Sequence, residues 1–143
     1  MAVIDASVWV ALFKEDEQYH EQAEYIFQSL DLSREEITLP AIAITEVAAA
    51  MKRAANRDTA RKSIRYMKSM HPEIMADFGE LEPIATEIAV NYGVKGMDAY
   101  YLAAAEITKS KLYTFDEQQR EAFAEISKNW QTLLYNQHTD VGR

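Results

Sequence analysis

The sequence has no cysteine, which excludes disulfides and thiolate-held zinc and fits a reducing compartment. Its four glycines stand apart, at positions 79, 93, 96 and 142, so there is no glycine-rich loop to cradle a nucleotide phosphate. No apolar run approaches the ~20 residues of a membrane-spanning helix. No basic stretch followed by an apolar one opens the chain, so neither a signal peptide nor a membrane partner is expected, and a cytoplasmic location is. Positive charge is also scarce: 15 Lys and Arg stand against 23 Asp and Glu, a formal net charge of −8. Such a chain does not bind nucleic acid indiscriminately.

The basic residues that are present are concentrated. Residues 52–68 hold Lys52, Arg53, Arg57, Arg61, Lys62, Arg65 and Lys68 against one acid, Asp58. That stretch carries +6 and leaves −14 on the rest of the chain. Arg53, Arg57, Arg61 and Arg65 recur every fourth residue, so one helix could present them as a row to phosphates. A solvated face, paired with the chain's many acids, is the other reading. His20, His71 and His138 lie far apart, without metal-ligand spacing.

At 143 residues the chain is long enough for one domain with a substantial core. Short apolar runs alternate with stretches of helical periodicity. Strands are expected at 2–4, 37–39, 74–78, 111–114 and 131–135. Helices are expected at 8–13, from Asp16 to about residue 30, at 41–55, across the basic segment to Pro72, and at 80–92, 99–108 and 117–127. A polar tail, 136–143, follows a domain spanning 1–135. Alternating strands and helices predict an α/β fold with a five-stranded parallel sheet and about seven helices. Trp9, Tyr100 and Tyr101 read as core and interface rather than as platforms for bases.

Four acids are flanked by apolar residues: Asp5 in Val-Ile-Asp-Ala, Glu46 in Ile-Thr-Glu-Val-Ala, Asp98 in Gly-Met-Asp-Ala-Tyr and Asp116 in Thr-Phe-Asp-Glu. Most other acids lie in charged runs, as solvated side chains should. Asp5 and Asp116 each end an expected strand, Asp98 opens a helix, and Glu46 lies one to two turns into another. In a parallel sheet all four reach one edge, where ligands bind beyond the carboxyl ends of the strands. Local structure offers a second reading of three of them. Asp5 and Asp98 can be helix N-caps, and Asp116 with Gln119 has the spacing of a capping box. Glu46, beside the apolar Val47 and Met51, has no such alternative. Gathered carboxylates repel one another, and burial raises the pKa of each. A divalent cation would neutralise them, and oxygen-only ligands point to magnesium or manganese.

With these four motifs in this order, the sequence resembles the PIN-domain ribonucleases, most closely the VapC-type toxins of toxin-antitoxin pairs. The resemblance covers nearly the whole chain: the run into Asp5-Ala6-Ser7, then Thr45-Glu46-Val47, then Asp98-Ala99-Tyr100-Tyr101-Leu102-Ala103, then Thr114-Phe115-Asp116. It implies a magnesium- or manganese-dependent endoribonuclease. It also implies Asp5, Glu46, Asp98 and Asp116 as the catalytic acids, Asp5, Asp98 and Asp116 as metal ligands, and Ser7 and Thr114 as hydroxyls beside them. A homodimer and a small antitoxin protein that blocks the site are implied as partners, with RNA as substrate. After Asp116 this chain continues Glu117-Gln118-Gln119, more polar than the family's usual hydrophobic continuation.

Other phosphoryl-transfer sites on similar sheets do not fit. A haloacid-dehalogenase-type phosphatase needs a second Asp where Ser7 stands, and a receiver domain needs paired acids after the first strand. An inactive PIN-fold module that binds RNA or protein without cutting is the alternative function.

Overall fold

Ala2, Val3 and Ile4 are apolar and fully buried, as a strand covered on both faces must be. The computed structural model describes the backbone of residues 1–140 and the side chains of residues 1–130. Its strands are β1 (Ala2–Ile4), β2 (Ile37–Pro40), β3 (Glu73–Met75) and β4 (Lys111–Tyr113). All pair in parallel, in the order β3-β2-β1-β4. The helices are α1 (Ala6–Phe13), α2 (His20–Ser33), α3 (Ile42–Ala54), α4 (Arg57–Ser69), α5 (Glu82–Tyr92), α6 (Gly96–Thr108) and α7 (Glu117–Asp140).

Among the described residues the sheet has four strands, not five. The strand expected at 131–135 is not formed, because α7 continues through these residues to Asp140. Phe123, Ile126, Trp130, Leu133 and Leu134 are spaced by threes and fours, which is helical periodicity. The tail expected at 136–143 therefore begins inside α7, and residues 141–143 lie outside the described part. The third strand is shorter than the 74–78 expected, ending at Met75. A wide turn at Asp77–Leu81 then leads into α5, with Gly79 at φ +82°. Residues 16–19, expected to be helical, instead form a turn in which Lys14 lies 3.9 Å from both Asp16 and Glu17.

The core lies between the sheet and its helices. Trp9 is fully buried and packs on Phe27, with ring centroids 4.7 Å apart. Tyr101 is also fully buried. In α6, Ala103, Ala104 and Ala105 are fully buried, and α6 packs on the sheet, α5 and α7; small side chains let neighbouring elements approach closely. His20 joins α1 to α2: Nδ1 lies 2.7 Å from the Ala11 carbonyl and Nε2 lies 3.2 Å from Glu24.

Gly93 ends α5 in the left-handed conformation, φ +66°, and its N–H donates to the Ala89 carbonyl at 2.9 Å. An added Cβ would meet nothing within 4 Å, so only the backbone conformation resists a side chain. Gly93→Ala is expected to lower stability by about 1 kcal/mol, read as a lower urea midpoint at unchanged slope. An unmoved midpoint would refute this reading of the cap.

Candidate metal centre

The order of the strands and the placing of the helices bring four acids to one edge. β1 ends at Asp5, and the Asp5 N–H donates to the Tyr113 carbonyl at the end of β4 at 2.9 Å. Thr114 and Asp116 follow β4 directly, on the same edge. α6 packs across β1, β2 and β4 and carries Asp98 in its first turn. α3 leaves the end of β2 and carries Glu46 in its second turn.

Asp5 does cap α1, but it does more. Its Oδ2 accepts from the Ser7 N–H at 3.2 Å, the Ser7 hydroxyl at 2.5 Å and the Thr114 hydroxyl at 3.1 Å. All three bonds converge on one oxygen and leave Oδ1 outside this network. The side chain is almost wholly buried. Burial pushes its carboxyl above the usual range, against the Ser7 and Thr114 hydrogen bonds, which pull it down.

Asp98 is not the N-cap the sequence suggests. α6 starts at Gly96 after Lys95, with no side-chain cap bond, so the Asp98 carboxylate is not spent on capping. Its pKa is pushed up from 3.8 to about 6, first by burial, then by the charges of Asp5 and Asp116, with Lys95 opposing. Glu46 is raised by burial first, then by the charges of Asp5 and Asp98. The Tyr101 hydroxyl lies beside Glu46 and pulls its pKa the other way. Even so, neither that hydroxyl nor Glu46 Oε1 has a hydrogen-bond partner of good geometry among the described residues. Burial, and then the Glu46 charge, push the Tyr101 hydroxyl far above its ordinary value, so it stays a donor. Asp116 is exposed and accepts from the Gln119 N–H through Oδ1 at 2.8 Å.

The acids therefore share a neighbourhood, but they are not a finished cage. Asp5 acts on Glu46 and Asp98, and Asp116 acts on Asp98. Among the described residues, no group of three His, Asp or Glu side chains is arranged to hold an ion as it stands. The donor set is all oxygen, and like charges raise the pKa of Glu46 and Asp98, which is the strain a hard divalent cation relieves. Ser7 and Thr114 lie where the sequence places them. The Ser7 hydroxyl also accepts from the Phe115 N–H at 3.1 Å, tying α1 to the end of β4.

Two residues escape sequence reasoning. Tyr101 stands three positions after Asp98, close to the same helix face. Gln119 is fully buried; its spacing from Asp116 is visible in the sequence, but its inward turn is not.

The arginine row is divided. The helix breaks at Ala55 and Asn56, where Asn56 accepts from the Thr59 N–H at 2.8 Å and caps α4. Arg53 thus belongs to α3, and only Arg57, Arg61 and Arg65 share α4. Among the described residues none of the four forms an ion pair. Arg57, Arg61, Arg65 and Lys52 rim a groove of about 610 Å³ between α3 and α4, with Ala48, Ala60 and Ile64 inside it. Ala48 and Lys52 are two and six residues beyond Glu46, roughly 200–240° round the helix, so the groove and the acids occupy different faces of α3.

The PIN domain family profile matches residues 2–125. No curated protein sequence matches. Among solved structures, Mycobacterium tuberculosis VapC20, a sarcin-ricin-loop-cleaving toxin, superposes with a TM-score of 0.72 at 19% identity, covering 85% of this chain and 95% of that one. FitAcB from Neisseria gonorrhoeae gives 0.66 at 21% identity, over 87% of this chain and 94% of that one. VapBC2 from Rickettsia felis, solved with a DNA fragment from their promoter, gives 0.65 at 10% identity, over 84% and 90%. At such identities the superpositions establish a shared fold. The profile spans most of the chain, and the protein is a member of the PIN domain family.

Proposed function

We propose that this chain is a magnesium- or manganese-dependent endoribonuclease, the toxin of a VapBC-type toxin-antitoxin pair. The observation that carries the reading is the gathering of Asp5, Glu46 and Asp98 at the carboxyl end of a parallel sheet, where burial raises the pKa of all three. Holding acids at this disadvantage makes sense where a cation compensates them. Asp5 and Asp98 would hold it directly. Asp116, whose Oδ1 caps α7, would join them. When bound there, a divalent cation would neutralise the acids and supply Lewis-acid chemistry at the phosphodiester. Glu46, whose Oε1 has no partner among the described residues, would orient the attacking water and accept its proton. The water oxygen would bond to phosphorus as the bond to the leaving oxygen breaks; that oxygen keeps the electron pair and takes a proton from solvent. Ser7 and Thr114 keep Asp5 in place. The likeness to VapC20, FitAcB and VapBC2 supports a toxin with an antitoxin partner. A homodimer belongs to the same proposal.

No described helix is long and apolar enough to cross a membrane. The test is incubation of the purified chain with mixed RNA and manganese. Cleavage that stops on chelation is expected, and cleavage indifferent to chelation sinks the proposal. One observation favours a binding module instead: the acids are not pre-arranged as a three-ligand site. That reading predicts RNA or protein binding with no cleavage at any manganese concentration.

Arg53, Arg57, Arg61 and Arg65 complete the proposal as phosphate contacts, with the RNA strand passing round α3 to reach the acids. Replacing Arg57 and Arg61 together with Ala is expected to weaken RNA binding. The slope of log affinity against log salt should fall by roughly 1.4, about 0.7 for each lost phosphate contact on a single strand. An unchanged slope would return these residues to a solvated face.

A further inference from the structure

The spacing of Asp116 and Gln119 suggests a capping box, in which the Gln119 side chain turns back to the Asp116 N–H. Only half of the box forms. The Asp116 N–H donates instead to the Thr114 hydroxyl oxygen at 3.0 Å, and the Gln119 side chain turns inward. Its Nε2 donates to the Asp98 carbonyl at 3.2 Å, and its Oε1 accepts from the Thr114 hydroxyl at 2.9 Å. A carbonyl can only accept, so the orientation of the amide is settled by chemistry: nitrogen toward Asp98, oxygen toward Thr114. The Thr114 hydroxyl also lies 3.1 Å from Asp5 Oδ2. It has one proton for two acceptors, so Gln119 and Asp5 share it. One buried amide thus connects the end of β1 through Thr114, the first turn of α6 at Asp98, and the start of α7 at Asp116. Of the four acids, Glu46 alone stands outside this network.

We propose that Gln119 is a positioning residue that sets the spacing of Asp5, Asp98 and Asp116, and through it the affinity for a divalent cation. The inference rests on the reading of these acids as a cation site. An apolar side chain of similar size would fill the same volume. It would leave the Asp98 carbonyl without that donor and the Thr114 proton with Asp5 alone. The first turn of α6 would then be free to shift against β4 and α7, taking the Asp98 carboxylate with it. Losing such a support to a metal ligand lowers metal affinity by roughly 10–100-fold.

The test uses the full chain and its Gln119→Met and Gln119→Leu variants, two apolar shapes in case one fails to fold. Manganese is titrated by calorimetry, and thermal melts are recorded alongside. The expected result is a manganese dissociation constant raised by about tenfold or more. The manganese concentration for half-maximal RNA cleavage should rise by the same factor, with the rate at saturation moved less. Combining Gln119→Met with Thr114→Val should give less than the sum of the two single effects, because Gln119 acts partly through that hydroxyl. In the wild-type chain, the Gln119 side-chain amide resonances should shift when magnesium is added, a readout that needs no variant. A variant that melts lower yet binds manganese as wild type does would show that Gln119 only packs α7, and would overturn the proposal. So would Gln119 resonances that ignore magnesium in a chain that binds it. A wild-type chain that binds no manganese overturns the nuclease reading itself, and it does so before any substitution is made.

Discussion

Replacing Asp5 with Asn is expected to slow RNA cleavage on the order of 10²–10³-fold, the usual size of a lost electrostatic contribution at a reacting centre, while the protein stays folded. The amide keeps an oxygen that can accept the Ser7 N–H, the Ser7 hydroxyl and the Thr114 hydroxyl. What it removes is the charge. In the folded chain that charge is a liability, because burial pushes the Asp5 carboxyl upward. The variant should therefore melt at or above the wild-type temperature at pH 7. Activity and stability moving in opposite directions separate a functional acid from a structural cap. Glu15→Gln serves as the control: it removes one negative charge from an exposed position and should change neither activity nor melting. If Asp5→Asn protein cut RNA at the wild-type rate with manganese present, the assignment of the acids would be wrong.

The second large effect is on pH dependence. Asp98 carries a carboxyl with a pKa of about 6 in the metal-free chain, against an ordinary 3.8. A protonated carboxyl cannot ligate, so protons and cation compete. Between pH 7 and pH 5 the ionised fraction of such a group falls about tenfold. Manganese affinity should fall by at least that factor. The sign for stability is the opposite. A raised folded pKa means that ionisation opposes folding. The stabilisation is complete below the unfolded value of 3.8 and is lost as pH rises through about 6. Asp5 and Glu46 shift in the same direction. The metal-free chain should therefore melt higher at pH 5 than at pH 7, by an amount on the order of 1 kcal/mol for Asp98 once solvent screening of its partly exposed carboxyl is discounted. Saturating manganese should reverse the order, since it binds the ionised form of the folded chain. Melts at both pH values, with and without manganese, check both signs. A metal-free chain that is more stable at pH 7 would contradict the crowding of these acids.

Much of this was legible in the amino-acid order. Val3-Ile4 followed by an acid reads as a buried strand delivering a carboxylate, and it is one. The basic cluster around Arg57, Arg61 and Arg65 is visible as composition. Spacing is less informative where a polar side chain has several partners within reach. Asp98 reads as a cap, yet α6 begins two residues earlier and leaves its carboxylate unspent. Arg53 reads as one of a row, yet the cap at Asn56 starts a new helix. Leu133, Leu134 and Tyr135 make 131–135 read as a short strand, while the apolar spacing by threes and fours from Phe123 through Leu134 continues α7.

Sequence alone determined the α/β class, the placing of Asp5 and Asp116 beyond strands, and the presence of Glu46 among apolar neighbours. Those follow from local periodicity and from the cost of burying charge, which act on residues close in the chain. Tertiary structure alone decided that the sheet has four described strands, that Gln119 faces Asp98 and Thr114, and that the Asp5 charge reaches both Glu46 and Asp98. The reason is physical: a hydrogen bond or a charge interaction depends on distance in space, and the partners here come from segments up to 109 residues apart.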